Sequence, residues 1–141
     1  MRFFTTTILA LGLCSQASAA DAPQLFSEVE VKIADAKLEK QGAGIRTLYI
    51  TIYDEASKMP MPHGAVKITL EKDATGTVYK GKLDSNNVVV MGQGSLPKTL
   101  RIKAKLDKDG TAGPDGQGDL VGTVSGVKMG AKATITIDKS I

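Results

Sequence analysis

This chain has little of what most enzymes place in an active site. Its 141 residues include one cysteine, one histidine and no tryptophan, and only 4% of them are aromatic. A blue-copper centre needs a cysteine thiolate and two histidines, so electron transfer of that kind is excluded. No motif of a nucleophilic catalyst surrounds His63, the lone histidine. We therefore expect a protein without catalytic activity.

The chain also lacks any long apolar run except one at its N-terminus. A positive charge precedes the apolar run Phe3–Cys14, and small residues follow it up to Ala19. This pattern is typical of a signal peptide, residues 1–19, and predicts export to the periplasm with cleavage after Ala19 or, as a second choice, after Ala20. Two alternatives stay open. One is a lipoprotein modified at Cys14, which the bulky Leu13 before it disfavours; the other is an uncleaved membrane anchor.

The predicted mature chain, residues 20–141, carries little net charge. Removal of the leader takes Arg2 from the 18 basic residues, which leaves 17 against 15 acidic residues, or +2. Such a weak excess does not indicate a nucleic-acid partner. No cysteine remains for a disulfide, so stability must come from an apolar core, which a chain of about 120 residues can form. No linker or repeat divides residues 20–141, which we expect to form a single domain.

Alternation of apolar and polar residues predicts an all-β fold. A period of two places the apolar side chains of a strand on one face, and no segment shows a helical period. Turn residues separate the segments. We predict an antiparallel β-sandwich of seven to eight strands with immunoglobulin-like or cupredoxin-like topology; a small closed barrel is the alternative. The clear segments are 29–33, 48–53, 66–71, 100–106 and 133–137, and the weaker ones are 77–83, 88–91 and 120–124.

Two segments between predicted strands have an unusual composition. The first, Lys58–Val66, reads Lys-Met-Pro-Met-Pro-His-Gly-Ala-Val, and the second, Lys108–Gly122, ends in Gly-Asp-Leu-Val-Gly. We call them the Met-Pro loop and the Gly-Asp-Leu loop. In order and spacing they resemble the C-terminal periplasmic domain of the bacterial cytochrome c maturation factor CycH, also called CcmI. The resemblance runs from about Ile45 to Asp138 and implies a β-sandwich that takes part in handling apocytochrome c.

This resemblance implies a function in binding rather than in catalysis. We expect a non-enzymatic periplasmic binding module, acting as an accessory, assembly or docking factor for a c-type cytochrome or a respiratory oxidase complex. Its partner would be a protein, not nucleic acid, and any membrane association would be peripheral, through that partner. The residues of the two loops expected to bind the partner are Met61, Pro62, Asp119 and Leu120.

A basic stripe is a further candidate for partner binding. Arg101, Lys103 and Lys105 alternate with apolar residues, so one face of their strand is basic. This face either docks an acidic partner or anionic lipid, or is a solvated face that protects an edge strand from aggregation. Tyr49 and Tyr53 lie on the outward face of another strand and would add an aromatic anchor if that strand lies beside the stripe.

The Met-Pro loop also suggests an alternative function as a Cu(I) carrier. Thioether sulfur is a soft ligand that suits Cu(I), and the spacing of Met59, Met61 and His63 puts them on one side of an extended segment. Met91 or Met129 would complete the site from another loop. The competing interpretation is that these methionines fill apolar surface and that no cofactor is bound.

The acidic residues of the Gly-Asp-Leu loop do not form a standard calcium site. Counted from Asp107, the sixth and twelfth positions of an EF-hand would be Gly and Glu, but they are Ala112 and Gly118 here. A non-standard calcium loop is the alternative to a simple turn. In the turn, we expect Asp119 to accept hydrogen bonds from the loop backbone.

Overall fold

The computed structural model describes residues 22–58, 61–92 and 94–141. The predicted signal peptide with its cleavage site, Cys14 and Met59 lie outside these ranges. Within them, the chain forms nine strands and one short helix: β1 (Leu25–Ile33), α1 (Ala36–Gln41), β2 (Thr47–Asp54), β3 (Gly64–Thr69), β4 (Thr77–Asp84), β5 (Val89–Val90), β6 (Thr99–Asp107), β7 (Leu120–Lys128), β8 (Lys132–Ile137) and β9 (Lys139–Ser140).

The strands form two sheets, which confirms the predicted all-β fold. The smaller sheet has the order β4-β1-β8, and the larger has the order β5-β3-β2-β6-β7-β9. The strand count of the described residues is nine rather than seven to eight, because β9 has only two residues, gives no periodic signal and was not predicted. All neighbouring strands run antiparallel except β1 and β8, which pair in parallel.

The predicted alternation produces the core between the sheets. In β2, Leu48, Ile50 and Ile52 are fully buried while the residues between them face outward. The antiparallel register sets Ile50 opposite Ala104 and Ile52 opposite Ile102, so the buried faces of β2 and β6 are continuous. The described residues share one hydrophobic cluster, to which β1 and β8 contribute from the smaller sheet. Burial of these aliphatic side chains is the main stabilising term.

One short helix, Ala36–Gln41, forms although the sequence shows no helical period there. Asp35 caps this helix by accepting a hydrogen bond of 2.9 Å from the Leu38 amide, and Leu38 is its one buried residue. The segment is too short to show a helical period, but an Asp followed by good helix formers is a start signal. Within the described ranges, no helix has the length and apolar character needed to cross a membrane.

Gly122 allows the two sheets to approach closely along one side. A Cβ atom at this position of β7 would collide with the carbonyl oxygen of Thr136 and lie 2.8 Å from the Cα atom of Ile137, both in β8. Only glycine therefore fits beneath the β8 backbone. After β8, the chain returns to the larger sheet, where β9 pairs with Leu120 and Val121 of β7.

Candidate functional site

The two unusual loops border one groove on the outer face of the larger sheet. This groove has a volume of about 420 Å³, and its floor includes Tyr49 and Tyr53 of β2. The Met-Pro loop contributes Pro62, the Gly-Asp-Leu loop contributes Ala112, and β5 contributes Val89. Segments that are more than forty residues apart in sequence are thus brought together, because β3 and β6 pair with opposite edges of β2.

The basic stripe lies beside the two tyrosines. The register of β2 and β6 pairs Tyr53 with Arg101 and Tyr49 with Lys105. The guanidinium carbon of Arg101 is 4.7 Å from the centre of the Tyr53 ring, and Nζ of Lys105 is 5.5 Å from the centre of the Tyr49 ring. At these distances a cation is attracted to the electron-rich face of the ring. The stripe and the aromatic residues therefore form one surface.

Lys105 is not a free cation of that surface. It is only 6% exposed, and its Nζ donates to Oδ2 of Asp107 at 2.9 Å and to the carbonyl of Gly113 at 3.0 Å. Asp119 lies 4.0 Å away. Burial alone would lower the pKa of Lys105, but its hydrogen bond to Asp107 and the nearby carboxylates outweigh burial and raise it. Lys105 therefore holds the Gly-Asp-Leu loop against β6 instead of binding a partner.

Two carboxylates at this loop, those of Asp107 at the end of β6 and of Asp119, accept hydrogen bonds from the loop backbone. Oδ1 of Asp107 accepts from the Gly110 amide at 2.8 Å. Asp119 accepts from Lys108 at 2.9 Å and from Gly116 at 2.7 Å, as we expected from the sequence. Within residues 22–58, 61–92 and 94–141, no three His, Cys, Asp or Glu side chains are grouped so that they could hold a metal ion. These acidic residues thus act as turn-forming groups.

Burial removes two predicted partner-binding residues from the accessible surface. Asp119 is buried among the backbone groups that it binds, and the Leu120 side chain lies in the core. The sequence did not reveal this because a charged residue in a glycine-rich loop is usually solvated. The accessible part of the loop at the groove is formed by Ala112, Gly113 and Asp115.

Two basic residues, Lys67 in the groove and Arg101 beside it on Tyr53, keep their charge available. Lys103 pairs with Asp115 across the groove wall. In the part of the chain that the structure describes, neither Arg101 nor Lys67 has a carboxylate within ion-pair distance. Arg101 is exposed and stacks on a tyrosine, and Nζ of Lys67 donates to the Gly110 carbonyl at 3.2 Å. Lys67 and Arg101 therefore each present a positive charge that no carboxylate of the described residues pairs with.

Exposed apolar side chains are grouped in segments next to this groove, and two of them, Val89 and Met91, line it. Six large apolar residues are strongly exposed among those described, and five of them lie in the Met-Pro loop, β5 or the connection from β5 to β6. These segments meet where β2 ends and β3 and β6 begin. We call this group the apolar rim, and it consists of Met61, Val89, Val90, Met91 and Leu96.

The candidate copper ligands differ in their surroundings. The side chains of Met61 and Met91 are more than half exposed, whereas the His63 ring packs edge-on against the buried Phe26 ring at 5.8 Å between centroids. The Met91 amide donates to the His63 carbonyl at 2.8 Å, so the two backbones are adjacent. Among the described residues, the buried Nε2 of His63 has no hydrogen-bond partner.

The fold and the groove define an all-β sandwich whose candidate site is an open surface between two loops. Comparisons with protein-family models, curated proteins and solved structures found no match. Lys67 and three members of the apolar rim, Val89, Val90 and Leu96, were not predicted as site residues. The sequence contained one signal for these exposed apolar residues. Val88, Val89 and Val90 form an apolar run without alternation, which indicates a strand with apolar side chains on both faces.

Proposed function

We propose that this protein is a non-enzymatic binding module that holds a protein partner in the groove and against the apolar rim. The observation that carries the proposal is that two exposed apolar side chains of the rim, Val89 and Met91, line the groove together with Tyr49 and Tyr53. Single exposed apolar residues are ordinary, but a contiguous group of them marks an interaction surface. Aromatic, methionine and arginine side chains, which this surface combines, are the types enriched at protein interfaces.

The partner that we propose is a c-type cytochrome or a subunit of a respiratory oxidase complex. The two loops that carry the resemblance to CycH border the same groove, and this juxtaposition supports a shared role in binding. The protein would act in the periplasm after export and would associate with a membrane only through its partner. The unpaired charges of Arg101 and Lys67 favour a partner that is acidic at the point of contact.

Site-specific photo-crosslinking tests this proposal. A photoreactive phenylalanine derivative is placed at Val89, on the rim of the groove, in cells that naturally express the protein. The matched control places it at Thr134, which is exposed on the other sheet. We expect one predominant adduct from Val89 and none from Thr134, and mass spectrometry should identify a cytochrome or oxidase subunit. Equal labelling from both positions, or no adduct from Val89, would contradict the proposal.

A Cu(I) carrier is the second candidate function. It is supported by the unpartnered Nε2 of His63 and by the adjacency of its backbone to Met91. Met59, outside the described residues, and Met61 would supply further sulfur, whereas Met129 packs against the core. Titration with Cu(I) against a chromogenic chelator tests this function. An affinity that is unchanged when Met59, Met61 and Met91 are replaced by Leu would rule it out.

A further inference from the structure

Strand β3 has an edge that is only partly covered. On one side it pairs along its length with β2, but on the other side β5 pairs only with Gly64 and Ala65. Among the described residues, no strand covers the remaining segment, Val66–Thr69, on that side. An uncovered edge of this kind presents backbone groups that can pair with another extended chain.

The backbone register identifies the groups that point outward. In an antiparallel pair, alternate residues direct both their N–H and C=O groups toward the same neighbour. The Leu70 amide donates to Arg46 at 2.7 Å, in continuation of the β2–β3 ladder, so Ile68 and Val66 also point toward β2. Lys67 and Thr69 therefore direct their N–H and C=O groups away from the sheet. Together they offer two donors and two acceptors to an added strand.

The side chains at this edge favour a particular sequence in the added strand. On the outer face, Lys67 lines the groove and has its Nζ 5.8 Å from the centre of the Tyr49 ring, without a carboxylate partner among the described residues. On the inner face, Val66 and Ile68 pack against the core but are only partly buried. An acidic residue opposite Lys67 would compensate its charge, and apolar residues on either side would cover Val66 and Ile68.

Building on the proposed function, we propose that the partner contributes an extended segment that pairs with β3 at Lys67 and Thr69 and carries an acidic residue between two apolar ones. This is recognition by strand addition, in which main-chain hydrogen bonds give affinity and alternate side chains give specificity. A second copy of this chain fits less well, because pairing of β3 with β3 would bring the two Lys67 charges together.

Peptide titration followed by nuclear magnetic resonance tests this proposal. The probe is the end-blocked peptide Thr-Val-Glu-Val-Thr, which reads the same in both directions, and its matched control has Lys in place of Glu. We expect shift changes centred on Lys67 and Thr69, slower amide exchange at both residues, and binding of the Glu peptide about tenfold tighter than that of the Lys peptide. Absence of changes at this edge up to millimolar peptide, or equal binding of both peptides, would overturn the proposal.

Two variants test whether the peptide binds through the β3 backbone and the charge of Lys67. Thr69→Pro removes one outward N–H, a change that edge strands tolerate, and should weaken binding of the Glu peptide. Lys67→Glu should reverse the preference, so that the Lys peptide binds better. An increase in mass with protein concentration that Thr69→Pro abolishes would assign the edge to self-association instead and overturn the proposal.

The outcomes also separate this inference from the groove as a binding surface. If the Val89 adduct forms equally well in Thr69→Pro, the groove still holds the partner and strand addition is wrong. If the peptide binds β3 as expected but Val89 gives no adduct, the edge recognises extended segments and the groove proposal is wrong.

Discussion

Replacement of Lys105 by Met tests whether its charge holds the Gly-Asp-Leu loop in place. The substitution keeps an unbranched side chain of similar length over Tyr49 but removes the ammonium group. Asp107 and Asp119, which are 3% and 4% exposed, then lose their nearest cation. Both carboxylates keep hydrogen bonds from the loop backbone. The remaining negative charges are nevertheless buried without compensation.

The expected loss of stability is large for a single substitution. Removal of one member of a buried ion pair typically lowers the free energy of unfolding by about 3–5 kcal/mol, because the other charge stays buried and unpaired. We expect a value near the lower end, about 3 kcal/mol, since backbone amides still solvate the carboxylates. The double variant Lys105→Met/Asp107→Asn should be more stable than Lys105→Met, because it removes one of the two buried carboxylates that have lost their cation.

Urea unfolding followed by far-ultraviolet circular dichroism measures this effect. The matched control is Lys103→Met, on the same strand and face, whose ion pair with Asp115 is about 30% exposed. An exposed pair of this kind contributes about 0–1 kcal/mol. The reasoning is refuted if Lys105→Met and Lys103→Met lower stability equally, or if the double variant is less stable than Lys105→Met.

The pH dependence of stability supplies an independent check on the same pair. Burial alone would raise the pKa of Asp107, but its hydrogen bonds, chiefly from Lys105 and also from the Gly110 amide, together with the charge of Lys105 outweigh burial and keep this pKa below the ordinary value of 3.8. Its stabilisation is therefore present above that value and is lost as the pH falls through the folded-state pKa. The pKa of Lys105 is raised above its ordinary value of 10.5, so its stabilisation has the opposite pH dependence. It is fully present below pH 10.5 and is lost as the pH rises through the folded-state pKa. The stability difference between wild type and Lys105→Met should consequently shrink at both extremes of pH.

Two further substitutions test local packing and capping. Gly122→Ala forces a methyl group into the β8 backbone at Thr136 and should lower the free energy of unfolding by about 3 kcal/mol, whereas Gly113→Ala, with open space around it, should change it little. Urea unfolding measures both, and equal effects would contradict the close approach of β7 and β8. Asp35→Ala removes the cap that accepts from Leu38 and should cost about 1 kcal/mol. Amide exchange should then accelerate within α1 but not in β2, and uniform acceleration would argue against a local cap.

Strands with one buried face were predictable from the sequence, and elements without a period were not. The alternation in Leu48–Tyr53 and Leu100–Leu106 predicted two central strands, which the structure extends by a residue or two at their ends. The two-residue strand β9 and the six-residue helix α1 are too short for any period to appear, whereas β5 lies within the weaker predicted segment 88–91. The parallel pairing of β1 with β8 joins segments about a hundred residues apart, and local pattern carries no information on such pairing.

The sequence identified several residues of the candidate site but did not show how they are arranged in space. The outward direction of Tyr49, Tyr53 and Arg101 followed from alternation, yet their adjacency depends on the pairing of β2 with β6, which β3, β4 and β5 separate in sequence. The two loops were selected by composition alone, and their meeting at one groove is a result of the same pairing. The burial of Lys105 was not predictable, because the sequence does not show that Asp107 and Asp119 fold back over it.

The attachment of the Gly-Asp-Leu loop to β6 has a consequence for the kinetics of binding. Because Lys105 donates to the Gly113 carbonyl of this loop and lies 4.0 Å from its Asp119 carboxylate, one wall of the groove is held in place before any partner arrives. A preformed wall loses little conformational entropy on association, and association need not wait for the loop to order itself. Changes in affinity that arise from contacts with this wall should therefore appear mainly as changes in dissociation rate.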